Sequence, residues 1–254
     1  MKCITPELVL QVEGIIKEAG ELLCSYFTKT VERNVKSDGS FATEADIASE
    51  KFLIQKLAPL IKDAGFIAEE SGEKKAPVYN WVIDPLDGTT NFAQGLPYFC
   101  ISVALTKNDI PLFGVIYQPL LKEYFYALQG CGAFLNGKKI AVSNRKKIDE
   151  SIVIVATPYV KSKEFFKSMN SVEHKVYTFR TFGAAALDQA YCAAGRADIV
   201  MFQDLSWWDV AAGMLIIQEA GGVASTFQKG LITPQYRTFI GGNQDLRDIF
   251  LKLI

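Results

Sequence analysis

The chain has 254 residues, 49% of them hydrophobic, and its 27 Lys and Arg against 28 Asp and Glu leave a formal net charge of −1. That length and apolar content bury a substantial core, as one large domain or two closely joined halves, and exclude a disordered binding tail. Basic and acidic residues are interspersed, so no positive stripe supports nucleic acid or anionic membrane as the main partner, and every apolar stretch is interrupted short of membrane-spanning length.

In chain order, Val9, Val12, Ile16, Ala19, Leu23 and Phe27 recur at spacings of three and four and predict an amphipathic helix over residues 5–28. Glu7, Glu13 and Lys17 within it argue against a signal-peptide core. After a polar turn over 36–40, Thr43 and Asp46 stand in the capping-box arrangement. They predict a second helix whose buried side is Ile47, Leu53, Ile54, Leu57 and Leu60. Strands are expected over 65–69 and 79–84, then a helical turn from Thr90. Three more strands, over 98–106, 112–118 and 123–128, have short connections and so should be antiparallel neighbours. Asn136-Gly137 predicts a turn into a last strand of that sheet over 139–142.

Beyond a divide near 144–150, strands are expected over 151–156, 176–179, 197–202 and 239–242. Helices are expected over 162–169, 183–194, 208–220 and 246–253, with Gly221-Gly222 ending the third. The sole histidine, His174, lies between Glu173 and Lys175 and reads as a surface turn; one imidazole excludes any site needing two. Cys3, Cys24, Cys100, Cys131 and Cys192 are scattered, odd in number and free of a Cys-x-x-Cys pair, which predicts thiols and a reduced, cytoplasmic compartment.

Chemistry concentrates in Trp81-Val82-Ile83-Asp84-Pro85-Leu86-Asp87-Gly88-Thr89-Thr90-Asn91-Phe92. An apolar strand runs into a turn where Pro85 keeps Asp84 extended and Gly88 supplies a permissive backbone. Thr89, Thr90 and Asn91 then present amides at a helix start, which suits an anion. As an ordinary loop, the segment would make Asp84, Asp87 and Asn91 solvated turn residues. Against that, Glu69 and Glu70 follow another apolar run just upstream, so two successive strand ends carry acids. Glu69, Asp84, Asp87 and Asp209 are the best donors for a divalent metal pair, and magnesium suits an oxygen-only set, with calcium sharing the ligand type. Asp209 is equally a helix-stabilising first-turn acid, Asp46 a cap, and Lys36 a solvated turn lysine.

The segment 81–92 carries a resemblance, together with Phe66-Ile67-Ala68-Glu69-Glu70-Ser71 and Trp208-Asp209-Val210-Ala211-Ala212-Gly213, extended through Gly222. The chain resembles the inositol monophosphatase family, within the magnesium-dependent, lithium-sensitive phosphatases, although Ala68 stands where members commonly have glycine. The resemblance implies an α+β fold, an αβαβα layered sandwich of the inositol monophosphatase / fructose-1,6-bisphosphatase type. Residues 1–145 would supply an antiparallel sheet and most metal ligands, and residues 146–254 a mixed sheet, the substrate side and one ligand. Two or three Mg2+ would sit on Glu69, Asp84, the Leu86 carbonyl, Asp87 and Asp209. Glu69 and Thr89 would position the attacking water, with Asp46 hydrogen-bonded to Thr89; Lys36, from the residues alone, either screens the collected negative charge or is a solvated turn lysine. Asp87, Gly88, Thr89, Thr90, Ala185 and Asp209 would surround phosphate and substrate. The implied reaction is direct hydrolysis of a small phosphorylated polyol or sugar-like ester; the resemblance also implies a homodimer and lithium sensitivity.

Phe202 occupies the place of a glutamate that inositol-hydrolysing members carry, and a phenyl ring accepts no hydrogen bond. It reads either as a strand core residue or as pocket lining, with Gln203 or Asp204 as substitutes. The form Gly88-Thr89-Thr90-Asn91-Phe92 looks most like the inositol branch, so inositol-1-monophosphatase is the first expectation. Histidinol-phosphate phosphatase and fructose-1,6-bisphosphatase are the alternatives. A noncatalytic phosphate-binding or RNA-associated homolog is the reading of another class.

Overall fold

The expected amphipathic helix is α1, Pro6–Phe27, and the capped helix is α2, Glu44–Leu57, in the computed structural model, which describes residues 4–27, 33–35, 41–156, 169–170, 172–236 and 238–254. The expected helix over 162–169 and the residues Cys3 and Lys36 lie outside or largely outside the described residues. β1, Arg33–Val35, and β2, Phe41–Thr43, pair as a small antiparallel ribbon ahead of α2.

A large sheet follows from β3, Gly65–Ala68; β4, Gly72–Lys74; β5, Tyr79–Asp87; β6, Cys100–Lys107; β7, Ile110–Gln118; β8, Glu123–Leu128; β9, Gly132–Leu135; and β10, Lys138–Lys139. Its order is β10-β9-β8-β7-β6-β5-β3-β4. Every pair is antiparallel except β3 with β5, so the expected antiparallel sheet holds one parallel pair. The chain enters β5 beside β3 because the β3–β4 hairpin occupies the outer edge. A short helix, α3, Thr89–Ala93, leaves the end of β5.

The second sheet is mixed, in the order β12-β11-β13-β15-β14. Its strands are β11, Ile152–Val155; β12, Thr178–Arg180; β13, Ile199–Gln203; β14, Val223–Ser225; and β15, Thr238–Gly242. Helices α4, Ala185–Ala193, α5, Trp207–Glu219, and α6, Gln244–Phe250, complete the described chain.

Period-two alternation sorts the side chains into layers. On one face of the large sheet, Trp81, Ile83, Ile101, Val103, Leu105, Phe113 and Val115 pack with α1 and α2. On the other, Val82, Ala104, Ile116, Phe125 and Ala127 meet α4 and α5, which are covered in turn by Ile154, Val200, Phe202 and Phe239 of the second sheet. The outer face of that sheet, with Val153, Ile199, Met201 and Ile240, packs against Leu246 and Phe250 of α6. The result is the expected αβαβα sandwich. Gly114 brings α5 close to the sheet: a Cβ there would stand 2.9 Å from the Ala212 carbonyl oxygen. Among the described residues no helix is long and apolar enough to cross a membrane.

Four local expectations are corrected. Ile47 is 52% exposed, because the inward stripe of α2 runs through Asp46, Ser49, Glu50, Leu53 and Leu57 instead. β5 continues through Pro85 to Asp87, where a proline is tolerated because β3 has already ended opposite Ile83 and a bulge interrupts pairing with β6 between Asp84 and Asp87. The strand expected over 139–142 is only Lys138–Lys139, while β4, β9 and β14 are short strands with weak alternation that the pattern did not reveal. α4 starts at Ala185, since Gly183 is left-handed (φ 84°) and Ala184 extended. His174 is exposed in a short 3₁₀ turn, and Cys24, Cys100, Cys131 and Cys192 are free.

Candidate metal and phosphate site

The site lies where β5 ends and the starts of α3, α4 and α5 converge. Asp84 is buried at the end of the paired part of β5, and its Oδ1 accepts the Leu86 N–H at 3.0 Å, which closes the turn locally. Burial first, then the charges of Glu69, Asp87 and Asp209, push its pKa well above the usual carboxylate range. Among the described residues, the charges acting on it are all acidic. Glu69, Asp87 and Asp209 therefore lie within electrostatic reach of Asp84, although the four acids come from β5, the β3–β4 turn and the first turn of α5.

Asp87 ties the end of β5 to the start of α4. Its Oδ1 accepts the Ala185 N–H at 3.0 Å, and its Oδ2 accepts the N–H groups of Ala186 at 2.7 Å and Leu187 at 3.3 Å. Ala184, the N-cap residue of α4, offers no side-chain cap, so the carboxylate of Asp87 caps the helix from another sheet. Burial raises its pKa and the Ala186 and Leu187 amides oppose that rise. The Cys100 thiol lies 3.5 Å from Oδ2. Ala185 was expected to donate its N–H to substrate; here that N–H donates to Asp87.

Asp46 serves both readings of the sequence. Its Oδ2 accepts the Thr43 N–H at 2.8 Å and hydroxyl at 2.5 Å, forming the capping box, while its Oδ1 lies 2.9 Å from the Thr89 hydroxyl. The Leu86 carbonyl lies 3.0 Å from the same hydroxyl, so two acceptors compete for one proton. Burial raises the Asp46 pKa against the hydrogen bonds of Thr43 and Thr89. Gly88 has φ 91°, and a Cβ there would stand 3.0 Å from the Tyr98 carbonyl oxygen and 3.1 Å from Ala184 Cβ. Both restrictions select glycine. Thr89 and Thr90 open α3, where the first N–H groups have no intrahelical partner.

Asp209 belongs to a capping box at the start of α5, with Oδ2 accepting the Ser206 N–H at 2.7 Å. Gln189 of α4 donates to the Asp209 carbonyl at 2.7 Å and so ties the two helices together beside this acid. Asn91 is buried, not solvated: its amide donates to the carbonyls of Tyr98 at 2.8 Å and Phe182 at 2.7 Å, bracing the approach to α4. Phe202 is fully buried and stacks on Phe239 with ring centroids 5.7 Å apart, which makes it core material; Gln203 is half-buried and Asp204 exposed with φ 61°.

Sequence pattern missed Ser49, Glu50, Gln189 and Cys100, whose partners lie 13 to 36 residues away. Only the polar breaks at 49 and 50 within an otherwise amphipathic helix signalled two of them.

Among the described residues, no three His, Cys, Asp or Glu side chains close on a single point as a finished metal cage. The acids are within Coulombic range of Asp84, but the oxygens of Asp87 and Asp209 already accept backbone N–H groups. A carboxylate oxygen carries two lone pairs, so these bonds leave acceptor capacity on each acid. The donor chemistry fits a hard divalent ion: all-oxygen ligands around a buried, mutually repelling carboxylate that a cation would relieve.

The αβαβα layering is the fold of the magnesium-dependent, lithium-sensitive phosphatase superfamily. A model of the inositol monophosphatase family matches residues 6–253, and the chain belongs to that family. It is 36% identical to the inositol-1-monophosphatase of Caulobacter vibrioides over 246 residues, covering 93% of this chain and 96% of that one. It is 38% identical to the Nus factor SuhB of Xylella fastidiosa over 224 residues, covering 86% and 81%. The crystal structure of the extragenic suppressor protein SuhB from Bartonella henselae superposes with a TM-score of 0.94 at 31% identity, covering 97% of this chain and 98% of that one. Phosphoester hydrolysis is the chemistry of the superfamily.

Proposed function

We propose that the protein is a magnesium-dependent phosphate monoester hydrolase that acts on inositol 1-phosphate by direct attack of water at phosphorus. The observation that carries this reading is Asp84, buried and, among the described residues, surrounded by the like charges of Glu69, Asp87 and Asp209. Such a group stays ionised at neutral pH most readily with a cation beside it. Glu69, Asp84, the Leu86 carbonyl, Asp87 and Asp209 would hold two or three Mg2+. Bound there, the ions supply Lewis acidity and lower the pKa of water.

The chain's own residues do the rest. With the Leu86 carbonyl taken up as a proposed ligand, Asp46 would be the acceptor left for the Thr89 hydroxyl proton, which turns a Thr89 lone pair toward an incoming water. Glu69 accepts that water's proton as the oxygen attacks phosphorus. The N–H groups of Gly88, Thr89 and Thr90 orient the phosphate at the start of α3. The ester P–O bond breaks, the alcohol leaves with a proton from solvent, and no phosphoenzyme forms.

The assay is phosphate release from inositol 1-phosphate, histidinol phosphate, fructose 1,6-bisphosphate and adenosine 3′,5′-bisphosphate, with and without Mg2+. Magnesium-dependent release from inositol 1-phosphate above the others supports the proposal. Preference for histidinol phosphate would match a site without an acid at position 202 and would replace inositol as substrate. No release from any ester removes the catalytic reading and favours a phosphate- or RNA-associated binder. We also propose a cytoplasmic, lithium-sensitive homodimer; sedimentation showing only monomer removes the last part.

A further inference from the structure

The inward stripe of α2 is polar where it meets the site. Asp46 and Ser49 are fully buried and Glu50 is 3% exposed. At positions i, i+3 and i+4 they share one helix face, and each holds a different segment. Asp46 holds Thr89. The Ser49 hydroxyl donates to the Pro85 carbonyl at 3.0 Å, between Asp84 and Leu86. Glu50 Oε2 accepts the Glu70 N–H at 2.7 Å and its Oε1 accepts the Ser71 N–H at 2.8 Å, directly after Glu69.

We infer that Glu50, supported by Ser49, is a positioning residue that sets the spacing between the Glu69 turn and the Asp84 to Asp87 turn, and through it the magnesium affinity of the site. The inference rests on the reading of those acids as magnesium ligands. A buried carboxylate across two consecutive amides makes charge-assisted bonds and fixes the plane of both peptides. Because Ser49 is the adjacent residue on the same helix, the two acid-bearing turns are referenced to one rigid element. Glutamine at position 50 keeps one acceptor oxygen but points an NH2 at the other amide, so one peptide must turn.

The test is calorimetric Mg2+ titration of the wild type, Glu50→Gln and Ser49→Ala, alongside thermal unfolding with and without Mg2+ and kinetics across Mg2+ concentration. For Glu50→Gln the Mg2+ Kd rises roughly tenfold or more, the range typical when groups behind metal ligands are altered. The Mg2+-induced rise in Tm shrinks in step. kcat at saturating Mg2+ stays within about threefold of wild type, because the ligands themselves remain. Ser49→Ala removes one hydroxyl and shows the same pattern to a smaller extent; it carries the test if Glu50→Gln does not fold. A purely structural role predicts a lower Tm with wild-type Mg2+ affinity in both variants, and that result overturns the inference alone. A wild-type protein that takes up no Mg2+ overturns the ligand reading and this inference with it.

Discussion

Two buried aspartates show how the molecule treats charge in two different ways. Asp198, at the seam where segment 143–145 meets the second sheet, is fully buried and matched: it accepts the Ser143 hydroxyl, the Arg145 guanidinium at 3.0 Å and the Ile152 N–H at 2.7 Å. Asn243 extends the seam by donating to the Ser143 and Arg145 carbonyls at 2.7 and 3.0 Å. Asp84 is just as buried, yet it has one local N–H donor and three acidic neighbours. Matched charge holds architecture together. Like charges gathered around a buried carboxylate are instead what a bound cation would relieve, which is the reading proposed for Asp84.

The contrast predicts opposite outcomes for similar substitutions. Asp84→Asn should lower Mg2+-dependent turnover by at least roughly 10³-fold, the scale of several kcal/mol of lost transition-state stabilisation. Its Tm without Mg2+ should equal or exceed that of wild type, since like-charge repulsion is removed. Retained turnover would break the comparison at its centre.

Asp198→Ala should instead destabilise the fold by about 3 kcal/mol in urea unfolding, the lower end for a broken buried pair because the Arg145 side chain is 40% exposed. Kinetics normalised to folded protein should be unchanged. An activity loss without a stability loss would mean that the seam is not separate from the site.

Asp188 lies between these cases. It is fully buried on α4, accepts the Tyr98 hydroxyl at 2.7 Å and leaves Oδ2 without a partner. Burial first, with the charge of Asp87 adding to it, raises its pKa well above normal against the Tyr98 bond. A carboxyl with a raised folded pKa favours the fold below its unfolded value, about 3.9, and that contribution is lost as pH rises through the folded pKa. Asp188→Asn mimics the neutral acid. Its Tm should therefore approach wild type at low pH and exceed it progressively toward neutral pH; a constant difference would show that Asp188 does not titrate across that window. The smallest effect belongs to Lys146→Ala, which breaks an ion pair to Asp245 with side chains 71% and 58% exposed. Stability should stay within about 0.5 kcal/mol.

What was legible in the sequence was local. Thr43 with Asp46, and the run from Trp81 to Phe92, carry their geometry within a few residues, so cap, turn and helix start could be read directly. The family resemblance then joined Glu69 and Asp209 to them across the chain. Ile47 was misread because α2 uses polar residues on its inner face, a choice that only the partners Pro85, Glu70 and Ser71 explain. The same holds for Phe202, where core and pocket lining differ only by which way β13 faces.

The cap that Asp87 places on α4 spans 98 residues of chain. One side chain is thus both a proposed ligand of the ion and the fastener between the large sheet and α4. On the proposed reading, separating α4 from the end of β5 would remove the helix cap and disturb the proposed ligand together.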